Sequence, residues 1–360
     1  MRVHNFYAGP ATLPAEVLEQ AAAELPDYRG LGLSIIETSH RSAEYDEVHN
    51  EAISRVRSLL GLPDDFEVVL LGGGATLQFA MVPMNLLPSG GGCDIVVSGS
   101  WAKKAQADAA KLGSVHVAYD GGDNGYTELP DAGAVRVQPG SAYLHLTSNE
   151  TIQGLQWKQF PDTGDVPLVC DMSSDIMSRP IPLDRFDLIY AGAQKNLGPA
   201  GVTVVILRRT LLDRMSDSLP AYLSYKTHVE KNSLYNTPPV YAIYMLDKVL
   251  GWVEKQGGVR EMDRAADEKS QLLYRTIDES DGYYRCPVGA DHRSRMNVVF
   301  RLPDEEREKK FVAEAKEAGM VGLKGHRSVG GIRASLYNAL PLKAVEDLTA
   351  FMRRFAADNG

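Results

Sequence analysis

Cysteine is scarce. Three thiols, Cys93, Cys170 and Cys286, are scattered over 360 residues, and none shares a CxxC spacing. A zinc site or redox dithiol is therefore not expected, and an odd, sparse count fits a reducing, cytoplasmic setting. Basic residues are also in deficit: 38 Lys and Arg stand against 47 Asp and Glu, for a formal net charge of -9. Binding a nucleic-acid backbone takes clustered Lys and Arg, so no nucleic-acid partner is expected, and any anionic ligand must be held by a local basic pocket. No apolar run approaches membrane-spanning length, so no membrane partner is expected. The start, Met1-Arg2-Val3-His4-Asn5-Phe6, lacks the apolar core of a signal peptide. Internal repeats and low-complexity tracts are missing too. What is present, 44% hydrophobic and 24% charged residues, suits a globular chain with one large and one smaller domain.

The pattern is irregular through Pro14, with Gly9-Pro10 as a turn. Proline suits a first helical turn, and a helix is predicted from Pro14 to about Leu25. A second runs over Ala43–Leu60, where Val48, Ala52, Ile53, Val56, Leu59 and Leu60 keep helical spacing. Seven short apolar runs then read as strands: Glu67–Leu71, Asp94–Val97, Val115–Tyr119, Ala142–Leu146, Leu168–Cys170, Leu188–Tyr190 and Val202–Leu207. Several are apolar throughout, as strands covered on both faces are. Helical stretches Leu77–Leu87 and Trp101–Leu112 lie between some of them. The expectation is an α/β domain whose mostly parallel seven-stranded sheet is sandwiched by helices. From Pro239 two long helices, Val240–Lys255 and Val259–Glu279, lead into strand, helix, strand and a terminal helix, Leu342–Ala356. That tail reads as a smaller α+β domain. The boundaries are set at 1–15 for an N-terminal segment, 16–255 for the large domain and 256–360 for the small one.

One strand runs into Ala191-Gly192-Ala193-Gln194-Lys195-Asn196-Leu197-Gly198, a turn of small residues around one lysine. Small neighbours let a ligand approach closely, and a lysine amine is the group that forms an imine with an aldehyde cofactor. A solvated surface lysine is the plainer reading. Earlier, Leu168-Val169-Cys170-Asp171 places an acid at the carboxyl end of an apolar strand, where open α/β sheets bind ligands. Alone, Asp171 reads equally as a turn or helix cap. Gly72-Gly73-Gly74-Ala75-Thr76 joins a strand to a helix and offers backbone amides to a phosphate. It lacks both the P-loop ending and GxGxxG spacing, which argues against a nucleotide-binding oxidoreductase. Trp101 opens the next helix and could stack on a flat ring or fill the core.

Taken in order, these pieces resemble the phosphoserine aminotransferases, in the class V group of fold-type I pyridoxal 5'-phosphate (PLP) enzymes. The resemblance spans essentially the whole chain. It rests on Asn5–Ala11, Ser39-His40-Arg41-Ser42, Gly72–Gly74, Ser148-Asn149-Glu150-Thr151-Ile152-Gln153-Gly154, Gln194-Lys195-Asn196, Asn236-Thr237-Pro238-Pro239 and Gly325–Ser335. It implies that Lys195 holds the cofactor as a Schiff base and acts as the base, that Asp171 faces the pyridine nitrogen, and that Trp101 stacks on the ring. It implies further that Thr151 touches the ring oxygen and that Ala75, Thr76 and Gln194 help hold the phosphate. Asn236 and Thr237 are implied to reach the phosphate of a neighbouring subunit, making the active unit a homodimer. Ala75-Thr76-Leu77 departs from the Arg-Gly that some members carry there, so individual side-chain roles at that turn are less defined.

Phosphoserine carries a phosphate and a carboxylate, and glutamate carries two carboxylates, so both need cationic clamps, for which Arg offers bidentate geometry. The resemblance gives Arg333 the α-carboxylate, and His40, Arg41, His326 and Arg327 the substrate phosphate. A surface arginine is more often simply solvated; two His-Arg pairs weigh against that. The implied reaction turns 3-phosphohydroxypyruvate and glutamate into O-phosphoserine and 2-oxoglutarate in serine biosynthesis, and family members also serve pyridoxine biosynthesis. Alternatives are another class V aminotransferase acting on a small amino acid, a cysteine desulfurase, and a noncatalytic protein of the same fold.

Overall fold

The computed structural model describes residues 2–360. Seven strands form the central sheet: β1 (Phe66–Gly73), β2 (Gly92–Val97), β3 (Ser114–Asp120), β4 (Leu144–Thr147), β5 (Leu168–Asp171), β6 (Leu188–Gly192) and β7 (Gly201–Arg208). Their order across the sheet is β1-β7-β6-β5-β4-β2-β3. Only β7 runs against its neighbours, β1 and β6; the other pairings are parallel. Six strands thus end on the same edge of the sheet, and that edge is where a doubly wound sheet opens a ligand crevice.

Each run expected as a strand is one, because both faces of the sheet are covered. Val68, Leu70, Leu144, Leu146, Leu168, Ile189, Val204 and Ile206 point into one core. Val69, Leu71, Val169, Leu188, Tyr190, Val205 and Leu207 point into the other. Helices α1 (Ala15–Glu24), α2 (Ala43–Leu60), α3 (Ala75–Leu86), α4 (Ser100–Ala109) and α5 (Val240–Lys255) surround the sheet. On one face Ala52 and Val56 of α2 join Ile243, Leu246 and Leu250 of α5. On the other lie Phe79 and Val82 of α3 with Ala105 and Ala109 of α4. Burial stabilises each such large side chain by about 1.5–3 kcal/mol, and truncating Ile206 to Ala would cost about 2–5 kcal/mol. Helix α2 is delimited locally: Ser42 Oγ accepts from Tyr45 N at its start, and Gly61 ends it in the left-handed conformation at φ 64°.

A separate apolar cluster gathers Phe6 with Leu273, Ile277, Phe300, Phe311, Leu348, Phe351 and Phe355. Its elements are α6 (Val259–Asp278), β8 (Asn297–Phe300), α7 (Glu305–Glu317), β9 (Ile332–Ser335) and α8 (Leu342–Asn359). Strands β8 and β9 pair antiparallel. His4–Asn5 pairs in parallel with Met320–Val321, which draws the N-terminus into this cluster. No helix among the described residues is long and apolar enough to cross a membrane.

Candidate active site

Five connections leave the carboxyl edge of the sheet and carry the chemistry. Strand β5 ends at Asp171, which is 5% exposed. Its Oδ1 accepts from Ser173 N at 2.9 Å, and its carbonyl accepts from Ser148 N and Ser148 Oγ, both at 3.0 Å. Burial pushes this carboxyl upward from its ordinary pKa, and the positive charge of Lys195 pulls it back.

Lys195 lies on the turn between β6 and β7 and is partly buried. Its Nζ stands 5.5 Å from the ring centroid of Trp101. Burial lowers the pKa of this amine; Asp171 and Glu150 oppose that fall, and Arg333 adds to it. A lysine held so gives up its proton more readily than a surface one, as a nucleophile and base requires.

Trp101 is fixed at both ends. Its backbone N donates to Glu150 Oε2 at 3.0 Å, and its indole Nε1 donates to Thr151 Oγ1 at 2.9 Å. The second Glu150 oxygen accepts from Ala102 N at 2.9 Å, so one carboxylate caps the start of α4. Gln153 also reaches that start, donating to Ser100 Oγ at 2.8 Å. Gly99 makes room for this cap, since a Cβ there would lie 2.6 Å from Glu150 Cδ. Burial pushes the Glu150 carboxyl up to about 7.

Arg333, on β9, is half-buried and donates from Nη1 to the carbonyl of Thr151 at 3.1 Å. It takes part in none of the ion pairs among the described residues. Arg333 and His326 line one cavity of about 190 Å³ with Tyr126, Ile152 and Gln153. The His326 pKa is lowered by burial and then by the charges of Arg333, Arg327 and Lys104, so three cations share one neighbourhood with this imidazole. The three residues expected at the cofactor phosphate, Ala75, Thr76 and Gln194, lie on connections at the sheet edge. Ala75 and Thr76 open α3, whose preceding residue, Gly74, provides no side-chain cap. Gln194 adjoins Lys195, and its carbonyl accepts from Ala11 N at 2.9 Å.

Four named residues lie elsewhere in this single chain. His40 and the exposed Arg41 precede α2; Asn236 Nδ2 donates only to Thr237 O, at 2.9 Å, ahead of α5. Among the described residues none of the four shares a hydrogen bond, ion pair or cavity with Lys195, Asp171 or Trp101. Two participants were missed from sequence: Glu150 and Lys104. Glu150 stands inside a block already singled out, and an acid just past an apolar strand is a signal for a helix cap. Lys104 had no such signal; its Nζ lies 4.2 Å from the Trp101 centroid because it is one helical turn further along α4.

The residues fit PLP. An amine with a lowered pKa, a buried carboxylate, a positioned indole and a bare helix start match the cofactor's aldehyde, ring nitrogen, ring face and phosphate in turn. Together with the sheet order they define a PLP-dependent enzyme of the fold-type I class. The sequence matches the family described as aminotransferase class-V over residues 3–348. It is 53% identical to the phosphoserine aminotransferase of Niallia circulans, over 100% of this chain and 99% of that one. It is 54% identical to that of Geobacillus kaustophilus, over 98% of both. The solved phosphoserine aminotransferase of Bacillus circulans subsp. alkalophilus superposes with a TM-score of 0.98 at 53% identity, covering 100% of this chain and 99% of that one. The chain belongs to the class-V aminotransferases and, within them, to the phosphoserine aminotransferases. The cysteine-desulfurase alternative falls away: Cys93 and Cys170 are buried in β2 and β5, and burial raises the pKa of all three thiols.

Proposed function

We propose that this enzyme transfers the amino group of glutamate to 3-phosphohydroxypyruvate, giving O-phosphoserine and 2-oxoglutarate, with PLP as cofactor. The observation that carries the reading is the meeting of the Lys195 amine, the Trp101 ring and the unpaired Arg333 around one peptide, Glu150-Thr151. Bound there, PLP supplies an aldehyde that captures amines and a ring that draws electron density from the substrate Cα. Lys195 would hold the cofactor through its Nζ, and the same amine, once free, would serve as the base for the substrate Cα proton. Asp171, acceptor-only when ionised, holds a proton on the ring nitrogen. Trp101 would stack on the ring face and fix its orientation, and Thr151 would offer its hydroxyl to the ring oxygen. Ala75, Thr76 and Gln194 take the cofactor phosphate. Arg333 grips the α-carboxylate with a guanidinium that no protein acid neutralises. Arg327 brings positive charge for the side-chain phosphate, and His326 a ring nitrogen beside it.

His40, Arg41, Asn236 and Thr237 act from a second copy of the chain. Their surroundings support this: Ile36 is 53% exposed, Tyr235 46% and Leu31 40%. Exposed apolar side chains near these residues in the chain are what a subunit interface would cover. The homodimer is placed in the cytoplasm, acting on small soluble substrates.

The test is a half-reaction. Loaded protein is titrated with O-phosphoserine, serine and alanine while the cofactor absorption is followed. Phosphoserine is expected to shift the spectrum at far lower concentration than the other two. Equal response to all three would refute the phosphate pocket, and no response at all would refute the aminotransferase reading.

A further inference from the structure

One buried charge plays no part in the chemistry above. Lys269, on α6, is 2% exposed and sits on the helix face that buries Met262, Ala266 and Leu273. It has no acidic partner among the ion pairs of the described residues. Its Nζ instead donates to the carbonyls of Leu336, Tyr337 and Leu340 at 2.9, 2.8 and 3.0 Å. Burial pulls the pKa of this amine down to about 7; in its ammonium form it has three donors, and here three carbonyls use all of them. An unpaired buried charge is costly, and a methionine would fill this apolar stripe at lower cost. The ammonium is what the inward-facing carbonyls of the Leu336–Leu340 turn require.

That turn reaches Lys195 from two sides. Asn338 N donates to Asn196 Oδ1 at 3.0 Å, and Asn338 Nδ2 donates to Met177 O at 2.8 Å. Asn196 Nδ2 in turn donates to Ile176 O at 3.0 Å. On the other side Tyr337 OH donates to Ala8 O at 2.7 Å. The next residue, Gly9, lies against the Lys195 stem: a Cβ built on it would stand 3.5 Å from Lys195 Cγ and 3.7 Å from Cε. We infer that Lys269 is a positioning residue for Lys195: its ammonium locks the Leu336–Leu340 turn, and the turn sets the backbone at Ala8–Gly9 and Asn196 between which the Lys195 side chain is aimed. The inference rests on Lys195 being the cofactor lysine. It makes a helix of the small apolar cluster a support of the reacting amine.

Lys269→Met, at nearly constant volume, takes the ammonium from the Leu336 and Leu340 carbonyls and leaves Tyr337 O with only the Leu340 N–H. In the cofactor-loaded protein, amide exchange at Ala11, Leu197 and Gly198, whose N–H groups are bonded within these stretches, is expected to quicken about tenfold while β1 and β5 stay protected. Turnover, kcat, is expected to fall roughly 10- to 100-fold with KM changed less than about threefold, because the amine is misaimed while Arg333 still grips the substrate. Tyr337→Phe removes the bond to Ala8 and the one Tyr337 OH accepts from Asn297 Nδ2, which keeps Ser335 Oγ as a partner; exchange at Ala11 should quicken in it, and kcat should fall by a smaller factor. Should Lys269→Met fail to fold, the Tyr337→Phe result decides alone, and wild-type exchange and kcat in that variant overturn the inference. Exchange raised evenly across Phe311 and Phe351, with kcat per folded molecule unchanged, would reduce Lys269 to a fold pin and overturn it too. Borohydride separates the two readings: if it fixes no cofactor on wild-type Lys195, the functional reading fails; if it does and Lys269→Met behaves as wild type, only this inference fails.

Discussion

Replacing Glu150 by glutamine keeps the shape of the side chain but removes its charge and one of its two acceptor oxygens. Two effects of opposite sign follow. The cap on α4 weakens, because the new amide group faces either Trp101 N or Ala102 N, a donor against a donor. A lost bond to a charged group is worth about 1.5–3 kcal/mol. Against this stands the cost of keeping a carboxylate buried. Burial raises the Glu150 pKa from 4.5 to about 7 even with both amide bonds in place, which corresponds to about 3 kcal/mol against the ionised form in the folded protein. The folded pKa lies above the unfolded one. Below pH 4.5 both states are protonated and Glu150 costs nothing; as pH rises to about 7 the unfolded chain ionises first, and stability falls; above about 7 the loss is constant. Glutamine has no such loss. In cofactor-free protein, Glu150→Gln should melt close to wild type at pH 5 and about 4 °C higher at pH 8, from the usual unfolding entropy of a 360-residue chain. The loaded variant should nevertheless turn over roughly tenfold more slowly at pH 8, because the indole it fixes is held by Thr151 alone. Scanning calorimetry at the two pH values, paired with steady-state rates, checks both. A variant that loses the same stability at pH 5 and pH 8 would refute the reasoning, since a simple cap loss does not depend on this titration.

Lys195→Ala should leave the protein folded but unable to retain cofactor after borohydride and dialysis, with turnover reduced at least about 10³-fold; retained covalent label elsewhere would be visible by peptide mapping. Arg327→Ala and Arg41→Ala should each lower kcat/KM for phosphoserine about 10- to 100-fold and for alanine less than about threefold, measured as paired half-reactions; matched losses would remove both residues from the phosphate site. Ile36→Asp places a charge on the exposed apolar segment, and sedimentation should show monomer, with activity falling in proportion to the monomer fraction. A fully active monomer would refute the shared site.

The strands were legible because the sheet is covered on both sides. Val202–Leu207 had no polar alternation to confuse with a surface strand: every residue is buried, and all but Thr203 lie in one core or the other. The order of the strands was not legible, since nothing in β7 announces that it runs antiparallel between β1 and β6. Lys195 and Asp171 could be singled out because each sits at the carboxyl end of an apolar run, where open α/β sheets bind ligands. Glu150 and Lys269 could not be weighed in the same way. Their meaning lies in partners distant along the chain, the amides of Trp101 and Ala102 for one and the carbonyls of Leu336, Tyr337 and Leu340 for the other. A sequence shows a lysine on a buried stripe but not which dipoles converge on it.

The same distinction explains how the site is assembled. The groups assigned to chemistry stand on short turns that the parallel strands deliver to one edge. The groups that aim them, Glu150 for Trp101 and Lys269 for the surroundings of Lys195, are buried charges answered by backbone rather than by opposite charge. Backbone amides and carbonyls move only with their elements, whereas a carboxylate on a flexible stem rotates freely and costs more entropy to hold. A charge pinned by backbone therefore ties the reacting side chain to a helix or turn, and the Thr151 carbonyl that receives Arg333 extends the same tie to the substrate clamp. Changing the charge at either position, with volume conserved, should then misplace the chemistry while leaving the sheet intact.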